Sequence, residues 1–209
     1  MRLGGCNLTC RWCDTPYTWD WRGTSDTKIA YDPRAELHRR SVASVAEQVC
    51  ALGVDLVVVS GGEPLSQQAR LVPLVDQLTS RGLEIEIETN GTLAPHRALV
   101  AAGARFNVSP KLAHSGVRLD RRIRPAALRA LAATPDVAFK FVCRDRSDLD
   151  EVADLVRRFA LEPVWIMPEG QHAEHVNEHL RNLVAAVVDR GWNLTTRLHI
   201  LIWGQERGV

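Results

Sequence analysis

Short runs of β-branched and apolar residues alternate with helical patterns through most of this chain, and no other feature limits its fold so tightly. The first helical pattern opens at Ser41, a candidate N-cap, and carries Val42, Val45, Val49 and Leu52 along one face. Asp55 to Ser60 follows as a continuous apolar run of the kind buried on both faces of a parallel sheet, broken by Gly61-Gly62. Further strands are expected at 83–88, 105–109, 137–142, 163–167 and 193–200, with helices near 67–81, 95–102, 125–132, 147–160 and 174–190. Repeated strand-helix units make parallel strands joined by right-handed crossovers, so the expected fold is α/β, either an open doubly wound sheet or a partial barrel. Six or seven units are too few for a complete eightfold barrel.

In both architectures ligands gather at the carboxyl ends of the strands. Those ends carry Ser60-Gly61-Gly62-Glu63-Pro64, Glu88-Thr89-Asn90-Gly91-Thr92, Ser109-Pro110-Lys111, Lys140 within its strand, Met167-Pro168-Glu169-Gly170, and His199. Any one of these is what a strand-to-helix turn needs anyway; their joint placement on one face argues for a site. Gly61-Gly62 removes side chains so that a ligand can approach the backbone, and Glu63 can accept a hydrogen bond from an ammonium. Lys111 offers a point charge for a carboxylate, or alternatively a partner for Glu88. The polar stretch Trp19 to Arg40 is long for a loop and is a candidate lid.

Ahead of the alternating region stand Cys6, Cys10 and Cys13, in Gly-Gly-Cys-Asn-Leu-Thr-Cys-Arg-Trp-Cys-Asp-Thr. Three thiolates can hold three corners of a cubane iron-sulfur cluster and leave the fourth iron open to a small ligand. A structural zinc would need a fourth protein ligand, usually from a second cysteine pair, and none is present; Asp14 is the only other candidate in the loop. A disulfide framework fits poorly with an odd count of five cysteines and no signal peptide. Cys50 and Cys143 read as packing residues.

The chain's 209 residues suit a single domain, and a net charge of +1 gives no global attraction for nucleic acid or membrane, so a small-molecule substrate is expected. No apolar stretch is long enough to cross a bilayer, and the thiols point to the reducing cytoplasm. There is no Gly-x-Ser-x-Gly elbow for a serine hydrolase. His172, His175 and His179 share one helical face, but beside Glu174 and Glu178 they read as a solvated polar face rather than a metal site.

The cysteine spacing followed by Gly-Gly-Glu-Pro resembles the radical S-adenosylmethionine (SAM) superfamily along nearly the whole chain. Within it, Cys-Asp-Thr combined with Ser-Gly-Gly-Glu-Pro-Leu, Glu-Thr-Asn-Gly-Thr, Ser-Pro-Lys and Phe-Lys-Phe-Val is similar to the 7-carboxy-7-deazaguanine synthase family, which acts in queuosine and 7-deazapurine biosynthesis. The resemblance implies an α/β partial (βα)6-type TIM-like barrel. It implies a 4Fe-4S cluster on Cys6, Cys10 and Cys13, with SAM on its free iron, lined by Trp12, Asp14, Gly62, Ser109 and Lys111, with Glu63 beside them. It implies magnesium on Thr15 and substrate contacts at Arg2, Ser60, His199 and the chain end Val209.

The implied lyase reaction turns 6-carboxy-5,6,7,8-tetrahydropterin into 7-carboxy-7-deazaguanine with loss of ammonia. A flavodoxin or ferredoxin is the implied reductant, a homodimer the implied assembly, and no nucleic acid or membrane partner is expected. The alternative is a SAM-dependent activase that places a glycyl radical on a partner protein. Members of the family carry a leader with a Gln-Gly-Glu segment, whereas Met1-Arg2-Leu3 stands almost on the cysteine loop. The leader and most of the first strand are therefore expected to be missing from residues 1–209.

Overall fold

A computed structural model describes residues 1–207. Seven parallel strands lie in chain order: β1 (Arg2–Leu3), β2 (Leu56–Gly61), β3 (Glu84–Thr89), β4 (Arg105–Val108), β5 (Val137–Cys143), β6 (Val164–Pro168) and β7 (Asn193–Leu194). The helices are α1 (Pro33–Glu36), α2 (Val42–Cys50), α3 (Gln68–Thr79), α4 (Arg97–Ala101), α5 (Leu119–Arg122), α6 (Pro125–Ala132), α7 (Arg146–Phe159), α8 (Ala173–Asp189) and α9 (Leu198–Trp203). Strand order that never reverses has no switch point, so successive right-handed crossovers leave the helices on one face. This resolves the two sequence alternatives in favour of a partial barrel, open between β1 and β7.

The side-chain alternation of the strands follows from that single helical layer. Val57, Val59, Ile85, Ile87, Phe106, Val108, Phe139, Phe141, Val164 and Ile166 are buried and share one core with α2, α3, α6, α7 and α8. The opposite face, the barrel interior, is half-open and polar, which corrects the expectation that Asp55 to Ser60 is buried on both sides: Leu56 is 41% exposed. Glu84, Glu86 and Glu88 stand on this inner face, bonded in turn to Arg105, Asn107 and Lys140.

Local signals set most boundaries. The Ser41 hydroxyl accepts from the Ser44 amide as an N-cap, and Asp145 caps α7 through the amides of Ser147 and Asp148. The run at 193–200 is not one strand. It ends its pairing at Leu194, apart from a last bond from the Thr195 amide to Ile166, and turns into α9. Among the described residues it pairs with β6 alone, and β6 ends on Pro168, so the ladder gives out. The stretch Trp19 to Arg40 is tied down at Asp20, whose buried carboxylate accepts from the Ser25 and Thr24 amides and the Thr24 hydroxyl. Burial works to raise that carboxyl, and these bonds outweigh it and hold it well below the usual range. Among the described residues no helix is long and apolar enough to cross a membrane.

Candidate active site

The cysteine loop is seated on the end of β2 by backbone bonds, with the Gln67 side chain donating to Gly4 O at 2.7 Å. The Gly62 amide donates to Leu3 O and the Glu63 amide to Gly5 O, at 2.9 and 2.8 Å. A Cβ on Gly61 would lie 2.1 Å from Leu3 O, and one on Gly62 would lie 1.8 Å from Gly5 O. Gly61 also has φ +134°, closed to side-chain-bearing residues. The two glycines therefore make room first for the chain's own cysteine loop, where the sequence suggested room for a ligand.

Cys6, Cys10 and Cys13 are free thiols, Cys10 buried and the other two half-buried. Burial pushes the Cys10 thiol up to about 12 and the Cys6 thiol up as well, while the Lys111 ammonium works to lower both. A bare thiolate is costly in this pocket, and a metal that takes the proton's place removes that cost. Trp19 Nε1 donates to Cys13 Sγ at 3.3 Å and Asn90 Nδ2 to Cys6 Sγ at 3.9 Å, the N–H to sulfur contacts that tune iron-sulfur centres. Among the described residues no three His, Cys, Asp or Glu side chains are grouped to hold a single ion, and no fourth protein ligand for a structural zinc joins the three thiols. The donor set fits a cluster.

Beside the thiols, Trp12, Ser109 and Lys111 come together. The Lys111 ammonium donates to Ser109 Oγ at 2.9 Å and lies 5.7 Å from the Trp12 ring centroid, while Trp12 Nε1 is buried without a partner. An orphaned indole N–H next to a held ammonium suits a ligand that brings an acceptor and a carboxylate. Trp12 is also stacked on His114, centroids 5.1 Å apart, a residue no sequence signal marked.

Glu63 lies beneath this group, within reach of the Lys111 charge. It is 0% exposed, and its carboxylate accepts from the Leu65 amide, the Thr89 hydroxyl and the Asn90 amide at 2.7 to 2.9 Å. Burial pushes its carboxyl above the usual range, and the three bonds oppose that push. These bonds tie the ends of β2 and β3 together beneath the loop.

Of the predicted substrate contacts, Arg2 and Ser60 fall on the inner face. Ser60 Oγ donates to Glu88 Oε2 at 2.7 Å, and Lys140 Nζ meets Glu88 Oε1 at 3.0 Å. Glu88 thus pairs with Lys140 rather than with Lys111. Burial works to raise the Glu88 carboxyl, and the Lys140 charge and the Ser60 hydroxyl outweigh it, leaving it below the usual range. Arg2 stands opposite Ser60 in the β1–β2 register. His199 is pushed below its ordinary value by burial and then by the charges of Arg197, Arg2 and Lys140, against Asp14. Val209 lies outside the described residues. The alternating glutamates 84, 86 and 88 are a period-two signal for this polar face.

Two sequence-marked residues sit apart from that row. Thr15 is 9% exposed, its hydroxyl 3.7 Å from Cys13 Sγ. Asp14 points toward the open side of the barrel and pairs with Arg197. His179 bonds Glu169 O at 2.7 Å, and His172 meets His175 edge to face.

An all-parallel partial barrel with three thiols in the loop after its first strand defines a class, and the chain belongs to it: the model of the Radical SAM superfamily matches residues 2–160. Membership implies a 4Fe-4S cluster and SAM as cofactors. A protein of Pyrobaculum aerophilum called 7-carboxy-7-deazaguanine synthase is 34% identical over 211 residues, covering 100% of this chain and 86% of that protein. One of the same name from Halobacterium salinarum is 33% identical over 226 residues, covering 97% and 81%. Within the superfamily the chain is an enzyme of the 7-carboxy-7-deazaguanine synthase family. The crystal structure of QueE from Escherichia coli shares its fold, with TM-score 0.68 and 23% identity over 94% of this chain and 83% of that one. SuiB of Streptococcus suis shares it at TM-score 0.58 and 14% identity, over 95% and 49%.

Proposed function

We propose that the chain converts 6-carboxy-5,6,7,8-tetrahydropterin to 7-carboxy-7-deazaguanine and ammonia, with the pterin bound against the inner face of the sheet below the cysteine loop. One observation carries this reading. The three thiols and the Trp12, Ser109 and Lys111 group stand at the carboxyl end of the same strands whose inner face presents Ser60, Glu88 and Lys140. Cys6, Cys10 and Cys13 would hold the cluster with SAM beside it, and together these groups would supply radical chemistry directed at a C–H bond of the pterin.

The rest is the work of the chain's own residues. Lys111, held by Ser109, offers its charge to the cofactor carboxylate, and Trp12 offers its unpaired N–H. Gly62 lets the cysteine loop pack directly on β2 beside the cofactor, and Asp14 borders the cofactor from the Arg197 side. Ser60, Glu88 and Lys140 form a bonded row whose fixed polarity aligns a flat heterocycle. Arg2 suits a bidentate grip on the substrate carboxylate. His199, whose proton affinity is lowered by burial and by the charges of Arg197 and Arg2, serves as a hydrogen-bonding wall near Arg2. The Thr15 hydroxyl fits a magnesium ion whose other ligands are water and substrate oxygens. The reading includes a homodimer and a flavodoxin or ferredoxin as reductant.

Anaerobic incubation of the reconstituted, reduced protein with the carboxylated tetrahydropterin and SAM tests the proposal. The deazaguanine product is expected, with SAM not consumed. A cluster-loaded protein that makes no product defeats the substrate assignment and leaves the superfamily membership standing.

A further inference from the structure

Although the chain carries a net charge of only +1, its arginines are unevenly spread: Arg118, Arg121, Arg122 and Arg124 fall within seven residues, with Asp120 the one acidic residue among them. Arg122 turns inward to Glu151 and Lys111 O. The other three are exposed, and Arg118 and Arg124 lie within three residues of Arg121, the one that touches the cysteine loop. The Arg121 guanidinium reaches Asn7 O, next to Cys6, at 3.4 Å. The Arg11 amide, next to Cys10, donates to Ser115 O at 3.0 Å, and the Arg11 side chain packs over Gly116. Arg11 and Arg118 have carboxylate partners in Asp26 and Asp120, both solvent-exposed and so weakly neutralising. Arg121 and Arg124 reach only backbone oxygens among the described residues. Packing does not explain four exposed cations here, since none of their charges is buried.

We propose that Arg11, Arg118, Arg121 and Arg124 form the docking surface for a small one-electron carrier protein with an acidic face around its redox group. The inference rests on the functional reading above, in which the cluster on Cys6, Cys10 and Cys13 must be reduced before chemistry begins. The carrier has to present its redox group to the outer side of the cysteine loop, because the inner side is taken by cofactor and substrate. A basic rim there steers an acidic partner into that orientation and raises its association rate. In the transfer an anionic flavin hydroquinone loses one electron to become the neutral semiquinone, the cluster gains it and passes from the 2+ to the 1+ state, and no bond or proton moves.

The test pairs Arg118→Glu/Arg124→Glu with Arg81→Glu, an equal type of charge reversal near the opposite end of the strands, where Arg81 follows α3. Two readouts are taken with a flavodoxin as probe: calorimetric affinity for the oxidised flavodoxin, and the stopped-flow rate of cluster reduction by its hydroquinone, each against salt. The double variant is expected to lose about tenfold in both at low ionic strength and to lose most of its salt dependence. Arg81→Glu is expected to stay within about twofold in both readouts, and reduction by dithionite to stay unchanged in every variant. Unaltered flavodoxin affinity in the double variant overturns the proposal, as does an equal loss with dithionite, or a loss of oligonucleotide binding with flavodoxin binding intact. Failure of the functional reading looks different: either no SAM-responsive cluster forms in any variant, or the reduced cluster responds to SAM and no deazaguanine is made by the unaltered protein.

Discussion

The guanidinium of Arg197, only 3% exposed, grips Asp14 of the cysteine loop with one nitrogen and Gly170 O, just past β6, with another. These two contacts join the first and last parts of the sheet across the side where the barrel is open. Because Asp14 is half-exposed, the ion pair itself is worth little, and the buried bond to Gly170 matters more.

Arg197→Met is therefore expected to cost about 1–3 kcal/mol, mostly from the stranded Gly170 carbonyl. Thermal unfolding should show it as a fall of several degrees. Arg197→Lys should recover little, because a single ammonium does not reproduce a planar fork spanning two acceptors. Asp14→Asn, by contrast, should stay within about 1 kcal/mol.

Gly62→Ala forces a methyl group into Gly5 O. The cysteine loop must move, so the variant is expected to retain less than about half of the wild-type iron after reconstitution and to lose about 3 kcal/mol of stability. Gly82→Ala, at φ +85° with open space around its Cβ, should cost about 1 kcal/mol and leave the iron content intact. Iron analysis beside thermal melts separates the two, and equal iron in both would refute the close-approach account.

Glu63→Gln keeps one acceptor oxygen where the carboxylate has two, so a bond to Thr89, Leu65 or Asn90 is lost and about 1–3 kcal/mol with it. SAM affinity, read from the change it causes in the reduced-cluster electron paramagnetic resonance spectrum, should move by less than about threefold. A tenfold or larger loss of affinity would show that Glu63 meets the cofactor ammonium after all.

His114 supplies a pH prediction. Its side chain is 1% exposed; burial lowers its pKa first and most, Arg144 adds to that, and Asp148, the Val142 carbonyl and Glu169 oppose it. The folded protein therefore takes up this proton at lower pH than the unfolded chain, whose value is 6.5. Below 6.5 the unfolded state binds more protons, so stability falls as pH drops through 6.5 toward the folded value. His114→Gln should flatten the decline in melting temperature between pH 7.5 and 5.5. A parallel decline in both proteins would assign the slope to other groups. Loss of the stack on Trp12 should also weaken SAM binding.

Thr15→Ala is expected to abolish stimulation of turnover by magnesium while leaving iron content and the response of the cluster to SAM unaltered. Unchanged magnesium dependence would take Thr15 out of the metal site.

How much was legible depends on the range of the interaction that carries each feature. The Ser41 cap, the strand-helix rhythm and the cysteine spacing are set by residues a few positions apart, and the chain displays them openly. Lys111 beside Ser109 is equally local. The inward turn of Glu63 was not visible, because its partners Thr89 and Asn90 come from another strand end. His114 under Trp12 is a contact between two loops distant in sequence, and nothing in either segment announces it.

The amino-acid order alone determined the parallel α/β architecture and the three-thiol loop, since hydrophobic periodicity and ligand spacing are properties of neighbouring residues. Tertiary structure decided which faces, glycines and carboxylates serve the site and which serve the scaffold. Gly61 and Gly62 hold the loop, Glu63 ties two strands, and Arg197 closes the gap, because each acts through a partner that only folding brings within hydrogen-bond or van der Waals distance.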